Sequence, residues 1–252
     1  RTFGLLPHVL PEVADMVDVA QSAPHVLDVY RHTLQTVTFA AQFRRWLRGE
    51  PVNACTPAAQ AWQAALAAWR FRLKEHFMPA LAAEHLRLDW LVWNALLHDI
   101  GKPPTRTVEI TEEGSRYRFF HHEEVGAALA RERLEALRFS RQEVWLAETV
   151  VAAHMRPHHL NLSFAQTDLS RRACFRFFRD TGARSLDLLP GVDVVLLALA
   201  DYQATYVAPM PPGWEDYLRH AGQLLEFAFH AAGLEQVRQP LVDGHTLIRY
   251  FD

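Results

Sequence analysis

The stretch that constrains this chain most is residues 90–105, WLVWNALLHDIGKPPT, an almost unbroken apolar segment that ends on His98 and Asp99. Its pattern predicts a helix buried on most sides, stopped by Gly101 and Pro103. Burying an adjacent imidazole and carboxylate is costly unless each finds a partner, and a divalent cation satisfies both at once. A bland arrangement satisfies them too: Asp99 bonded to backbone at a helix end, His98 packed in the core. The rest of the chain favours the cation, because it places further His and Asp residues at the ends or on single faces of other apolar helices.

Residues 25–47 read as a helix with Val29, His32, Thr36, Phe39 and Phe43 on one face, so His32 points where the apolar residues point. His25 lies about two turns earlier, near that face. A turn-rich break at residues 49–60 leads into an Ala- and Trp-rich helical stretch through Leu81, which reads as scaffold. After Lys102, the alternating segment TRTVEITEEGSRYRFF with its Glu-Glu-Gly-Ser turn predicts a short β-hairpin. It delivers His121 and His122 to the next helix, whose Glu123 and Glu124 suit the positive end of a helix dipole. Ser140 and Glu143 form a capping-box pattern opening another helix, on which Ala147, Val150, Val151 and His154 share a face. Pro157 is expected to end it, leaving His158 and His159 in a loop.

The segment SRRACFRFFRDTGAR alternates basic and aromatic residues. It reads first as an amphipathic helix with Phe inside and Arg outside, and second as a surface for phosphates or bases, with Arg171, Arg172, Arg176 and Arg179 making the contacts. Next, VDVVLLALADYQAT is apolar until Asp201. A carboxylate closing such a run sits at the unfavourable end of a helix dipole, which raises its value as a metal ligand.

At 252 residues and half hydrophobic, the chain can bury the core of one large helical domain, the preferred reading for residues 1–252. A net charge of −3 excludes a generally basic nucleic-acid binder but leaves room for a local patch, and only Lys74 and Lys102 among its 26 basic residues are lysines. Cys55 and Cys174 stand far apart, so no disulfide framework or cysteine zinc site is suggested and a cytoplasmic setting fits. Apolar runs such as Val194–Ala200 fall well short of the ~20 residues of a membrane span, and no signal peptide is visible. The chain opens on Arg1 rather than Met, so a longer parent protein is expected.

Taken in order, His32, His98-Asp99, His122, His154 and Asp201 resemble the HD superfamily of metal-dependent phosphohydrolases. The H…HD…D pattern matches His32, His98, Asp99 and Asp201, and the two intervening histidines match those that hold a second metal in some members. More narrowly, QSAPHVLDVYRHTL, LLHDIGKPPT, RFFHHEEVGA and FRFFRDTGA…LLALAD look like the HD region of bacterial tRNA nucleotidyltransferase and poly(A) polymerase-type proteins, a resemblance running from residues 11–13 to PLVDGHTL near the C-terminus. The Gly-Ser and paired aspartates of a nucleotidyltransferase head are absent, so this chain alone is not expected to add nucleotides.

The resemblance implies an all-α fold, an HD-domain helical bundle with a short β-hairpin insertion after the HD motif. It further implies a first metal on His32, His98, Asp99 and Asp201 and a second on His122 and His154, with Asp99 bridging. One or two divalent ions are expected, with Mn, Fe, Co, Ni, Zn and Mg all admissible. Two cations ~3.5–4 Å apart can hold a phosphate and acidify a water. Lys102 either offsets phosphoryl charge or is a solvated residue past the helix end. His25, His121, His158 and His159 are rim candidates, and a Gly usual before the family's His-Glu pair is replaced here by His121.

The expected partner is a phosphorylated small molecule or an RNA end, with a homodimer admissible. The leading expectation is hydrolysis of a nucleotide, cyclic phosphate or RNA-end phosphate. The alternatives are a non-catalytic RNA-binding module of a nucleotidyltransferase-like protein and, lower, a di-iron oxygenase.

Overall fold

The computed structural model describes residues 4–52, 56–82, 85–111, 114–182 and 189–230. The PLVDGHTL segment, Cys55 and the Glu112-Glu113 part of the hairpin turn lie outside the described residues.

Two single-turn helices, α1 (Leu6–Val9) and α2 (Pro11–Ala14), precede the long α3 (Val29–Arg48). This helix starts four residues later than the apolar pattern suggests. Asp28 supplies the N-cap, its carboxylate accepting from the Arg31 N–H at 2.8 Å, which leaves His25 in the preceding loop. The Ala- and Trp-rich stretch forms α4 (Pro57–Leu66) and α5 (Arg70–Phe77), then leaves the helical state for a small antiparallel pair, β1 (Ala80–Ala82) and β2 (His85–Leu86).

The HD segment follows as α6 (Trp90–Leu97), with His98 and Asp99 in the turn beyond it. Gly101 and Pro103 do not open a loop. They begin the single turn α7 (Lys102–Thr105), with Pro in its first turn, where a missing N–H costs nothing.

The predicted hairpin is present as β3 (Arg106–Thr111) and β4 (Gly114–Phe119), in register from Arg106↔Phe119 to Thr111↔Gly114. Then come α8 (His122–Ala136) and α9 (Arg141–Ala153), the latter opened by the complete Ser140–Glu143 capping box. Pro157 ends nothing but starts α10 (Arg156–Ser163), so His158 and His159 are helical rather than in a loop. The chain closes with α11 (Arg171–Asp180), α12 (Pro190–Tyr206) and α13 (Trp214–Phe229).

Apart from the two hairpins the described structure is helical, an all-α bundle with a β insertion after the HD motif. Apart from Asp193, α12 is apolar on every side from Pro190 to Ala200 and buried throughout that span, the condition for a central helix. It packs on α3 and α9, α6 packs on α3, and α8 lies along α9. Trp62, Trp90, Trp214, Phe43, Phe77 and Phe178 are fully buried in this core.

A buried ion pair belongs to the scaffold. Asp193, at the N-terminal turn of α12, accepts from Arg87 Nε at 3.2 Å and lies 3.1 Å from His76 Nε2. Burial pushes the His76 pKa down to about 4, helped by Arg87 and only partly opposed by Asp193. The folded state therefore holds this ring neutral, while the unfolded chain protonates it near 6.5, so stability is full above that pH and falls from about 6.5 down to about 4. In metal-stripped protein, denaturant titrations at pH 7 and pH 4.5 should show a loss that His76→Gln reduces by on the order of 2 kcal/mol. An identical pH dependence in the variant would show that His76 is not the group responsible.

Candidate metal centre

The polar residues at the middle of the bundle come from five different elements. α3 brings His32, the turn after α6 brings His98 and Asp99, α8 opens on His122, α9 is capped by His154, and α12 contributes Asp201. All but Asp201 are almost fully buried. Asp201 is not at a helix end as its sequence position suggests, since α12 runs on to Tyr206, and the helix-dipole reasoning for it does not apply.

Three rings are held by the same local device. Nδ1–H of His98 donates to the Ala95 carbonyl at 2.8 Å, that of His122 to Phe119 at 2.8 Å and that of His154 to Val151 at 2.7 Å. Each acceptor lies three residues earlier, where the end or start of a helix leaves a carbonyl available. A donating Nδ1 fixes the neutral tautomer and leaves Nε2 as a bare acceptor facing inward.

The two oxygens of Asp99 face different groups. Oδ2 lies 3.2 Å from His98 Nε2 and 3.6 Å from His32 Nε2, and Asp201 Oδ1 is 2.9 Å from that same His32 nitrogen. Oδ1 lies 3.6 Å from His122 Nε2 and 3.9 Å from His154 Nε2. Within these two sets, His32–His98–Asp99 and Asp99–His122–His154, one donor atom per residue lies within 4.8 Å of the others.

The second set tests the fit of a cation directly. Burial pushes the His154 pKa down to about 3 and lowers that of His122, so both rings are neutral at ordinary pH. Their Nε2 atoms are nevertheless 3.3 Å apart. With both Nδ1 protons committed to carbonyls, the two Nε2 lone pairs and Asp99 Oδ1 converge with no proton among them. Three acceptors without a donor repel; a cation turns the same arrangement into ligation.

The first set is also electron-rich. Burial opposes charge on Asp99, but the His98 ring and the Lys102 ammonium outweigh it and hold this carboxyl well below the usual range. Burial would lower the His98 pKa, yet Asp99 and Asp201 draw it upward. His98 Nε2 and both Asp99 oxygens lack a hydrogen bond of good geometry. An imidazole and carboxylate donor set suits Mn, Fe, Co, Ni or Zn, and Mg where oxygen ligands dominate.

Lys102 is buried rather than solvated. Its Nζ sits 2.7 Å from Asp99 Oδ2, donates to Gln21 Oε1 at 3.0 Å and lies 5.6 Å from the Phe119 ring centre. These groups open onto a cavity of about 410 Å³. Of the rim candidates, His25, His158 and His159 line it, and His25 packs edge-on against His32 with ring centres 5.1 Å apart. His121 does not line it. That residue occupies a left-handed backbone position ahead of α8, its side chain 74% exposed, and His122 is the one turned towards Asp99.

Arg176 and Arg179 lie on the outer face of α11, with Phe177 and Phe178 inward, as the amphipathic reading requires. The strand β4 adds cavity walls that sequence reasoning missed, namely Arg116, Tyr117 and Phe119. Their signal was present in the alternation of Arg with aromatic residues along SRYRFF.

No helix among the described residues is long and apolar enough to cross a membrane. A CC-adding tRNA nucleotidyltransferase of Thermus thermophilus is 33% identical over 203 residues, which make up 80% of this chain and 33% of that protein. The chain thus spans about a third of the length of this curated relative. The family model for the HD domain matches residues 29–202, from the first residue of α3 to the residue after Asp201, and so takes in every member of the buried cluster. The chain therefore belongs to the HD domain family.

Proposed function

We propose that this chain is a metal-dependent phosphohydrolase acting on a phosphoester: a nucleotide, a cyclic phosphate or an RNA-end phosphate. The observation that carries the reading is the division of Asp99, one oxygen facing His32 and His98 and the other facing His122 and His154. In this reading His32, His98, Asp99 and Asp201 hold one divalent cation, and His122 and His154 share Asp99 around a second. Bound there, such ions supply Lewis-acid polarisation of the phosphoryl group and an acidified water.

The residues of the chain do the rest. Lys102 keeps Asp99 ionised and stands where it can offset charge on a phosphoryl oxygen. His158 and His159 line the same cavity and in this reading face the leaving group. The apolar core behind the cluster excludes bulk water, which strengthens every charge interaction in front of it. Cys174 is buried and unbridged, in keeping with a reducing, cytoplasmic setting.

A second reading is favoured by the relative, whose name is that of a tRNA nucleotidyltransferase. There the chain is a non-catalytic RNA-binding part of a larger protein. A panel of nucleoside 2′,3′-cyclic phosphates, nucleoside monophosphates and 3′-phosphorylated RNA, assayed with Mn, Ni, Co and Mg, separates the two. The hydrolase reading expects phosphate or ester release with at least one metal. Salt-dependent RNA affinity with no release under any metal would leave the binding module in its place.

A further inference from the structure

The helix α10 has a cavity on each flank. One is the cavity of the metal centre; the other, of about 340 Å³, contains Arg156, Arg172 and Arg176 beside the half-buried ring of Phe164, with Phe177 buried beneath. His159 lines both, so the two meet across a single side chain. Arg172 and Arg176 are exposed and one helical turn apart on α11, an i, i+4 pair that points the same way. Neither is drawn into an ion pair among the described residues. Asp180, the acid in this cavity, is occupied by Arg156 at 3.2 Å and by Arg179 at 2.7 Å, and Arg179 is not part of the lining.

Two free guanidinium groups beside an aromatic ring make a site for a phosphate with a base beside it, the combination found where single-stranded nucleic acid is held without sequence preference. The shared His159 sets the two cavities side by side, so that neighbouring residues of one strand can occupy them. The double-stranded form is disfavoured, because the ring needs an unstacked base.

We infer that the Arg156–Arg172–Arg176 cavity is a second phosphate-binding site, which holds the body of a single-stranded polynucleotide while its phosphorylated end lies at Asp99. This rests on the hydrolase reading for what happens at the end, and goes beyond it by making a strand, rather than a mononucleotide, the substrate.

The test is the length dependence of affinity. Fluorescein-labelled oligoadenylates of one, three and five nucleotides, each ending in a 3′-phosphorothioate, are titrated into the Mn-loaded full chain by fluorescence anisotropy. Affinity should rise about tenfold from one nucleotide to five. In the double variant Arg172→Glu, Arg176→Glu that gain should vanish, and the slope of log affinity against log salt for the five-nucleotide strand should flatten by about 1.4, two phosphate contacts at ~0.7 each. Both substitutions are on an exposed helix face, and an unchanged thermal melt verifies the fold.

A wild-type affinity independent of length, or a gain that persists in the double variant, would overturn the second site. Phosphate release, measured in parallel, keeps this separate from the chemistry. Turnover of mononucleotides without length dependence refutes the strand site alone, and length-dependent binding without turnover of any substrate refutes the hydrolase alone.

Discussion

Replacing Asp99 with alanine should empty both halves of the centre at once. Asp99 is the residue common to the two sets, with Oδ2 at 3.2 Å from His98 Nε2 and Oδ1 at 3.6 Å from His122 Nε2. On the proposed assignment, loss of any histidine would remove one ligand from one half, whereas loss of Asp99 would remove one from each and the link between them. Phosphoester hydrolysis should fall by about a thousandfold or more, equivalent to roughly 4 kcal/mol of transition-state stabilisation. Metal content after dialysis should fall well below that of the parent.

The fold should survive, because the apolar packing of α12 on α3 and α9, and of α6 on α3, does not depend on that carboxylate. Lys102 would lose its 2.7 Å ion pair and keep only Gln21, and part of the measured destabilisation will be the burial of an ammonium with no counter-charge beside it. The double variant Asp99→Ala, Lys102→Met removes that penalty while leaving the metal defect. Undiminished turnover in Asp99→Ala would remove Asp99 from the mechanism.

The second large effect is expected where no chemistry occurs. Gly101 has an ordinary backbone conformation, yet a Cβ placed there would lie 2.1 Å from the His122 carbonyl oxygen, 2.6 Å from Gly126 N and 3.0 Å from Gly126 Cα. All three are backbone atoms, so no side chain can rotate out of the way. The HD turn and the first turns of α8 are pressed together through this glycine pair, so a change in that contact is expected to move His122 relative to Asp99.

Gly101→Ala must push them apart. The expected cost is about 3 kcal/mol by denaturant titration, at the upper end for overpacking because the contact is backbone on backbone. Metal should be lost first from the His122–His154 half, while the His32–His98 half is retained more firmly. Gly126→Ala should be milder, since its nearest contacts are at 3.2–3.5 Å. Equal metal content and stability in Gly101→Ala and the parent would show that this spacing is not what aligns the two halves.

How much of this was legible in sequence follows from the cost of burying polar groups. His32, His98, Asp99 and His154 stand at the ends or on the inner faces of apolar helices, and a pattern that buries an imidazole announces a partner. Asp201 was found for a partly wrong reason, as a helix-end residue that turned out to lie inside α12. His158 and His159 were placed in a loop because Pro157 reads as a stop, although Pro is equally at home in the first turn of a new helix.

What stayed hidden depends on three-dimensional coincidence. Asp193, Arg87 and His76 come from three separate segments, and only an acid inside the run VDVVLL hinted that a buried cation must meet it. The Gly101–Gly126 contact has no local signature. The β1–β2 pair is too short to show an alternation, and the meeting of α10 with α11 around Arg172 and Arg176 required their packing to be known.

Two cation sites joined by Asp99 are expected to carry out phosphoester hydrolysis, and the most direct test is a metal titration of the stripped full chain. Mn²⁺ is added in steps while bound metal and release of product from a 3′-phosphorylated oligonucleotide and a nucleoside 2′,3′-cyclic phosphate are followed together. Binding should saturate near two ions per chain, with turnover of at least one substrate rising as the second site fills. No tight binding and no turnover with Mn²⁺, or with Ni²⁺, Co²⁺ or Mg²⁺ in its place, would contradict this expectation.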